Sequence, residues 1–437
     1  MANEIKNQRD ILDKLEIESL NPMQEEAIAV IEKSPNTIIL SPTGTGKTLA
    51  FALPLLDLLD PDDTNIQALI IVPSRELAIQ IEQVIRSMGS GYKVNAVYGG
   101  KPMSKDKIEL KHNPAILVGT PGRILDHFDN ERFSKAGFKT LILDEFDKSL
   151  ENGFEEEMKA ILYYLPNLSK RILTSATQAV DVPIFVGLDN PKIVNYLHKK
   201  TESRLAIKIV ISQDKNKLHS LIELLKHIGN EPGIIFCNFR ESIDDVSVFL
   251  RKNNIVHACF SGGMEQRDRE QALIKFRNGT SQLLVATDLA ARGIDIPEMK
   301  FIIHYELPIH EEEFIHRNGR TARVNATGTA YVIKWKDQLL PDFIEYTEPI
   351  GISEKAPHKK QYWETLFISG GRRDKISKGD IAGLFFKQGG LKKEQLGTIE
   401  LKPDCAYVAV PLALADQLVG SLNNSKLKKK KVRIYVL

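Results

Sequence analysis

The stretch Thr37-Ile-Ile-Leu-Ser-Pro-Thr-Gly-Thr-Gly-Lys-Thr48 decides the fold. Four residues of β-branched and apolar character, Thr37–Leu40, run straight into a glycine-bearing loop, and an apolar helical stretch follows from Leu49. Backbone N–H groups around Gly44 and Gly46 can wrap a phosphate, because glycine tolerates both the dihedrals and the close approach. Ser41, Thr43 and Thr45 line the same loop, with Ser41 where the general phosphate-loop pattern begins with glycine. Lys47 is placed to reach terminal phosphates, and the Thr48 hydroxyl to complete the shell of a Mg²⁺ ion. The start of the following helix adds a field that favours anions. A plain Gly/Thr-rich turn is the alternative, and the strand–loop–helix context speaks against it.

A phosphate loop needs an acidic partner at the end of a neighbouring strand. Leu141-Ile-Leu-Asp-Glu-Phe-Asp147 supplies one, with apolar residues leading into three carboxylates. Asp144 can hold Mg²⁺, and Glu145 is placed to polarise an attacking water. Further along, His316-Arg-Asn-Gly-Arg-Thr-Ala-Arg323 carries three arginines in seven residues. Arg320 and Arg323 suit contact with a γ-phosphate, as an arginine finger supplied in cis. No second glycine–lysine loop exists, so one nucleotide, ATP, is expected to serve two sheets.

The rest of the chain sorts around these motifs. In the first run, short strands are expected at Thr37–Leu40, Ala68–Val72, Val94–Tyr98, Ala115–Val118, Leu141–Leu143 and Arg171–Thr174. A second run follows at Gly233–Phe236, His257–Phe260, Gln282–Val285, Phe301–His304 and Thr329–Ile333. Helical stretches such as Pro22–Lys33, Arg75–Met88 and Lys217–Ile228 lie between them, and such alternation predicts parallel, doubly wound α/β sheets. The polar segment around Lys200–Leu205 reads as the boundary, without strand character. From Lys336 to Tyr362 a linker with an interrupted helix is expected. The tail then reads strand, helix, strand, strand, helix, strand: Thr365–Ser369, Gly379–Gln388, Gly397–Leu401, Ala406–Val410, Leu412–Leu422 and Val432–Val436. That βαββαβ order is shared by many small RNA-binding modules.

Net charge is only +2, but it is unevenly spread. Phe367–Leu437 holds 14 Lys and Arg against 6 Asp and Glu, a net of +8, leaving −6 for the remainder. A basic end of this kind suits an anchor for phosphates. Apolar residues make up 42% of the chain, yet no run approaches the roughly 20 residues of a membrane helix. The polar start shows neither a secretory signal nor a transit peptide. Cys237, Cys259 and Cys405 lie far apart and form no metal-binding or disulfide pattern, which points to the cytoplasm.

Together these motifs resemble the DEAD-box RNA helicases of superfamily 2, over roughly Leu20 to Arg323. The matching series is LNPMQ, SPTGTGKT, PSRELAIQ, Gly99-Gly100, TPGR, DEFD, SAT, IIFCNFRES, ATDLAARGID and HRNGRTAR. The resemblance implies two tandem RecA-like domains, 1–204 and 205–345, that use ATP hydrolysis to unwind short RNA duplexes locally. It implies that Gln24 reads the adenine edge and that Asp295 contacts the ribose. Ser175 and Thr177 would link hydrolysis to strand separation, and His316 would link back to DEFD. Arg75, Gly100, Thr120, Gly122 and Arg123 would hold RNA phosphates on the first sheet, Thr287 and Asp288 on the second. An ATP-gated RNA clamp with little strand separation is the alternative use of the same motifs. Departures are Phe146 in place of a small residue, Ala322 in place of a glycine, and no aromatic before Phe51 to stack on adenine.

After a linker at 346–364, residues 365–437 resemble the C-terminal RNA-binding domain of DbpA-type bacterial helicases. The residues that carry this are GGRRDKISKGDIAGLFF, LGTIELKPDCAYVAV and KLKKKKVRI. The resemblance implies an RRM-like α+β module docking on structured ribosomal RNA, hence pre-ribosomal particles as partners and a part in large-subunit assembly. Arg372, Arg373, Lys375 and Lys378 cluster before a helix start as contacts for that RNA. Only Tyr407 marks the strand that carries aromatics in a standard RRM, so docking by shape is expected rather than base stacking.

Overall fold

The computed structural model describes residues 5–151, 153–177, 182–197, 204–288, 299–321, 327–345, 349–351 and 362–437. The chain forms two compact units that part between Ser203 and Arg204. The first unit opens with helices α1 (Gln8–Lys14) and α2 (Pro22–Lys33), then alternates β1 (Asn36–Leu40), α3 (Lys47–Asp57), β2 (Ala68–Ile71), α4 (Arg75–Met88), β3 (Val94–Val97), α5 (Met103–Glu109), β4 (Ile116–Gly119), α6 (Pro121–Asp129) and β5 (Thr140–Leu143). It closes with α7 (Phe146–Glu151), α8 (Glu155–Tyr163), β6 (Lys170–Ser175) and β7 (Lys192–Asn195). These strands make one parallel sheet in the order β3-β4-β2-β5-β6-β1-β7.

Both faces of that sheet are covered, which is why its strands are apolar without alternation. Ala68 and Ile70 of β2 face one core with Val118, Ile142 and Ile172, while Leu69 and Ile71 face another with Leu117, Leu141 and Leu173. Helix α4 shows how the layers join. Leu77, Ala78, Ile81, Ile85 and Met88 form its buried stripe, Ser74 caps its start by accepting from the Leu77 amide at 3.2 Å, and Gly89 ends it. Each such buried aliphatic side chain contributes roughly 1.5–3 kcal/mol relative to exposure.

The second unit contains β8 (Arg204–Ser212), α9 (Leu218–Ile228), β9 (Gly233–Cys237), α10 (Arg240–Lys252), β10 (His257–Phe260), α11 (Gln266–Arg277), β11 (Leu283–Thr287), β12 (Phe301–His304), α12 (Glu311–Asn318) and β13 (Thr327–Trp335). Its sheet is also parallel, in the order β10-β11-β9-β12-β13-β8. Cys237 lies fully buried in this core beside Ile235, Val285 and Ile303, and burial pushes its thiol far up.

The tail adds β14 (Trp363–Ile368), α13 (Lys378–Lys387), β15 (Ile399–Leu401), β16 (Ala406–Pro411) and α14 (Ala415–Leu422). A short hairpin, β17 (Lys426–Leu427) with β18 (Lys430–Lys431), precedes the last strand, β19 (Ile434–Val436). The antiparallel sheet runs β15-β16-β14-β19, the expected split-βαβ arrangement. Leu366, Ile368, Val408, Val410 and Ile434 face the two helices and meet Ile381, Leu384, Phe385 and Leu418.

Four strands lie outside the sequence reading: β7, β8 and the two of the β17–β18 hairpin. β7 lies on the sheet edge with only Val194 buried, so its pattern lacked an apolar run. β8 begins inside the segment read as devoid of strand character, yet pairs with β13 along nine residues. Among the described residues of 336–362, turns occur and no helix; the remainder of that expected helix lies outside the described residues.

Candidate active site and nucleic-acid interface

In both parallel sheets the motif residues follow the carboxyl ends of strands, where open α/β sheets hold ligands. After β1 the loop 41–46 folds on itself. The Ser41 hydroxyl donates to Thr45 Oγ1 at 2.8 Å, and Thr45 Oγ1 donates to the Pro42 carbonyl at 2.9 Å. Lys47 Nζ is gathered in by the carbonyls of Ser41 at 2.5 Å and Pro42 at 3.1 Å. Gly44 and Gly46 take φ of +86° and +84°. A Cβ at Gly46 would meet Gln24 Nε2 at 2.5 Å, so this position needs glycine for both dihedral and space. Gly46 starts α3 without a side-chain cap, which leaves the N-terminal turn suited to a phosphate. Thr43 and Thr48 are half-buried on the same loop.

Gln24 is held against this loop. Its Nε2 donates to the Gly46 carbonyl at 3.2 Å and its Oε1 accepts from the Asn21 amide at 3.0 Å, while Asn21 Nδ2 donates to the Thr45 carbonyl at 3.0 Å. The pair forms the capping box of α2, so one short motif both starts a helix and braces the phosphate loop.

The acidic turn after β5 is tied to β6. Thr174 Oγ1 donates to Asp144 Oδ1, and the Glu145 amide donates to Thr174 Oγ1 at 3.2 Å. Burial raises the Asp144 carboxyl above its ordinary value, opposed by the Thr174 hydroxyl and the Lys47 charge. Glu145 sits at φ +49°, a left-handed conformation that costs on the order of 1–3 kcal/mol outside glycine. Next to it Ser175 Oγ donates to the Thr177 carbonyl at 2.8 Å, and Thr177 Oγ1 donates to Asp147 Oδ2 at 3.3 Å. SAT and DEFD are thus one hydrogen-bonded assembly. Phe146 is buried in the core with Leu143 and Met158.

Beyond the carboxyl ends of β2, β4 and β3 come Arg75, Thr120 and Gly100. The Arg75 guanidinium lies over Gly99, Gly100 is exposed, and a Cβ at Gly122 would meet open space. Arg123 is differently placed. Its Nε donates to Asp106 Oδ2 at 2.8 Å and its Nη2 to the Lys101 carbonyl at 2.7 Å. Asp106 is fully buried; burial would raise its carboxyl, but His127, Arg123 and Lys101 hold it below the usual range.

In the second unit Arg317 is the centre. Completely buried, it donates to Asp288 through Nε at 2.7 Å and Nη2 at 2.5 Å, to Asn238 Oδ1 at 2.8 Å and to the Glu306 carbonyl at 2.8 Å. Its guanidinium also lies 5.2 Å from the centre of the Phe236 ring. Asp288 is therefore half of a bidentate ion pair, with Thr287 half-buried beside it. His316 and Arg320 are buried. Arg323, Ala322 and Asp295 lie outside the described residues.

On the tail, Arg372, Arg373, Lys375 and Lys378 are all exposed. The lysine hairpin joins them: Lys430 Nζ meets Asp374 Oδ2 at 2.8 Å and Lys428 Nζ meets Asp380 Oδ1 at 2.9 Å. The two clusters form one basic surface stitched by two aspartates.

Known proteins agree with this architecture. The chain is 30% identical to the ATP-dependent RNA helicase DbpA of Bacillus subtilis, covering 94% of this chain and 93% of that one. It is 30% identical to DbpA of Escherichia coli, over 98% and 96% of the two chains. The chain belongs to the DbpA helicases of the DEAD-box family. It matches the DEAD/DEAH box helicase family over residues 21–183, the helicase conserved C-terminal domain over 216–325 and the DbpA RNA-binding domain over 365–436. A Saccharomyces cerevisiae Dbp5 structure bound to RNA and ADP BeF3 superposes with a TM-score of 0.69 at 26% identity, covering 76% of this chain and 88% of that chain. As a DbpA-type chain it is an ATP-hydrolysing RNA helicase with an RNA-binding domain. Among its described residues no helix is long and apolar enough to cross a membrane.

Sequence reasoning missed three residues of this DEAD-box core. Thr174, Asp106 and Arg317 each anchor a motif residue 17 to 30 positions away. Only Arg317 carried a signal, as an always-charged residue within a motif already quoted; its purpose required the partner.

Proposed function

We propose that this helicase remodels structured ribosomal RNA during large-subunit assembly in the cytoplasm, anchored by the basic surface of its tail. The observation that carries the reading is that surface: Arg372, Arg373, Lys375 and Lys378 exposed together with the lysine hairpin, on a chain otherwise net negative. Clustered cations on an ordered module suit phosphate contacts that position an RNA by shape. On this reading the module is residues 365–437, joined by 346–364 to helicase domains 1–204 and 205–345.

The residue roles follow the same proposal. The loop 41–46 with Lys47 and Thr48 holds the ATP phosphates, Gln24 reads adenine, and Asp295 meets the ribose. Mg²⁺ bound by Thr48 and Asp144 would neutralise phosphate charge. Glu145 orients and deprotonates the attacking water, Arg320 and Arg323 balance the γ-phosphate, and His316, Ser175 and Thr177 relay the outcome. RNA phosphates fall to Arg75, Gly100, Thr120, Gly122 and Thr287. Arg123 and Asp288 join them, held in place by Asp106 and Arg317.

Binding of a hairpin-bearing fragment of large-subunit ribosomal RNA tests the proposal. Reversing Arg372 and Lys378 to Glu is expected to weaken it at least tenfold and to flatten its salt dependence. Equal affinity for that fragment and for an unrelated hairpin, unaffected by the reversal, would refute it.

A further inference from the structure

A threonine stands in the first sheet where the core asks for an aliphatic side chain. Strand β6 runs Ile172-Leu173-Thr174, and Thr174 is fully buried on the strand that lies between β5 and β1. A valine would fill that space with no polar atom to satisfy, whereas a buried hydroxyl costs stability unless it is hydrogen-bonded. We propose that Thr174 is a positioning residue for ATP hydrolysis. Its hydroxyl sets the face that Asp144 turns to a divalent cation and the backbone direction from which Glu145 leaves. The inference rests on the reading of Asp144 as a Mg²⁺ ligand and of Glu145 as the base.

Strand register places the threonine at the junction of two motifs. Leu143 pairs with Leu173, so Asp144 emerges beside Thr174. On the other side Thr174 pairs with Ile39, two residues before Ser41. The Ser41 amide donates to the Ser175 carbonyl at 3.1 Å, which carries the pairing up to the first residue of the phosphate loop.

The polarity of the hydrogen bonds is then forced. A backbone N–H can only donate, a carboxylate can only accept, and a hydroxyl has one proton to give. Thr174 Oγ1 donates that proton to Asp144 Oδ1 and accepts from the Glu145 amide at 3.2 Å. The same amide lies 3.2 Å from Asp144 Oδ1, so three residues close one triangle. The side-chain bonds to Asp144 in this triangle fall on Oδ1. Rotation of the carboxylate would break them, and Oδ2 is the oxygen they leave for a cation. With the Thr48 hydroxyl it makes a hard-oxygen set of the kind that suits Mg²⁺.

Glu145 depends on the same triangle. Its φ of +49° is left-handed, and the amide held in that conformation is the one that Thr174 accepts. Loss of the hydroxyl frees that peptide to relax, and the Glu145 carboxylate moves with it. At the other end of DEFD, Thr177 Oγ1 donates to Asp147 Oδ2 at 3.3 Å. Residues 174 and 177 therefore hold opposite ends of the acidic turn.

The test sets Thr174→Val, which keeps the shape and deletes the hydroxyl, against Thr174→Ser, which keeps the hydroxyl and deletes a methyl. Mg²⁺ titration of a fluorescent non-hydrolysable ATP analogue on each chain reads the cation apart from turnover. In Thr174→Val the Mg²⁺ half-saturation should rise about tenfold, and kcat at saturating Mg²⁺ should fall about tenfold. Affinity for the analogue in excess chelator should hold, and Thr174→Ser should keep all three values close to native. A packing role predicts the reverse order, with the serine chain impaired and the valine chain native, and that result would overturn the proposal. Thr174→Ala lacks the same hydroxyl and gives the same reading where the valine chain fails to fold. Asp144→Asn separates the two levels of the argument. An unaltered Mg²⁺ dependence in that chain would remove the ligand reading itself, whereas an altered one beside a native Thr174→Val would remove only the part given to the threonine.

Discussion

The two parallel sheets arise from the same alternation of strand and helix, yet their carboxyl ends carry opposite chemistry. The first presents carbonyls, glycines and carboxylates: a loop closed on Lys47, and Asp144 held by Thr174. The second presents arginines and histidines, with Arg317 buried on Asp288 and His304 beside it, desolvation pushing that imidazole down to about 3. A parallel sheet is thus a neutral support, and function lies in loops grafted on it. Polar cost is handled alike in both. Each sheet buries an arginine–carboxylate pair, Arg123 with Asp106 and Arg317 with Asp288, to fix loop geometry.

The contrast can be broken in order of expected effect. Glu145→Gln should lower ATP turnover by about 10²- to 10⁴-fold with unfolding unchanged, because it removes only a base. Normal turnover would end the assignment of chemistry to the first sheet. Arg317→Ala should destabilise the second unit by about 3–5 kcal/mol in urea unfolding, since it strands Asp288 and two acceptors. A loss in turnover with native stability would make Arg317 catalytic and erase the contrast. Asp106→Asn should cost about 1–3 kcal/mol at neutral pH. Its carboxyl is held below the ordinary value in the folded chain. The stability it contributes is therefore full above the unfolded value near 4 and lost as pH falls through the folded one. The gap between native and Asp106→Asn chains should close in acid, and a pH-independent gap would contradict the ion pair. Ser175→Ala should cost least, about 0.5–1.5 kcal/mol of stability, while loosening Thr177 from Asp147. Its effect should show as ATP turnover retained with less strand release in an unwinding assay.

Much of this was legible in sequence because strands and phosphate loops are local. Apolar runs such as Ala68–Val72 and glycines at fixed offsets announce themselves within a dozen residues. What stayed hidden depends on register or distant pairing. An aromatic row in the tail sheet needs three strands, so Tyr407 stood alone in sequence although Phe367 and Tyr435 complete it. Edge strand β7 buries one side chain and leaves no pattern. The partners of Arg123 and Asp288, which are Asp106 and Arg317, lie elsewhere in the chain and leave no local signal.

One measurement meets the central proposal directly, that the chain holds a single nucleotide whose phosphates are gripped by the loop of the first sheet. Equilibrium binding of ATP with Mg²⁺ to the Glu145→Gln chain should give one nucleotide per chain, and Lys47→Ala in the same background should abolish it. Two nucleotides per chain, or one that survives the loss of Lys47 at undiminished affinity, would contradict the account.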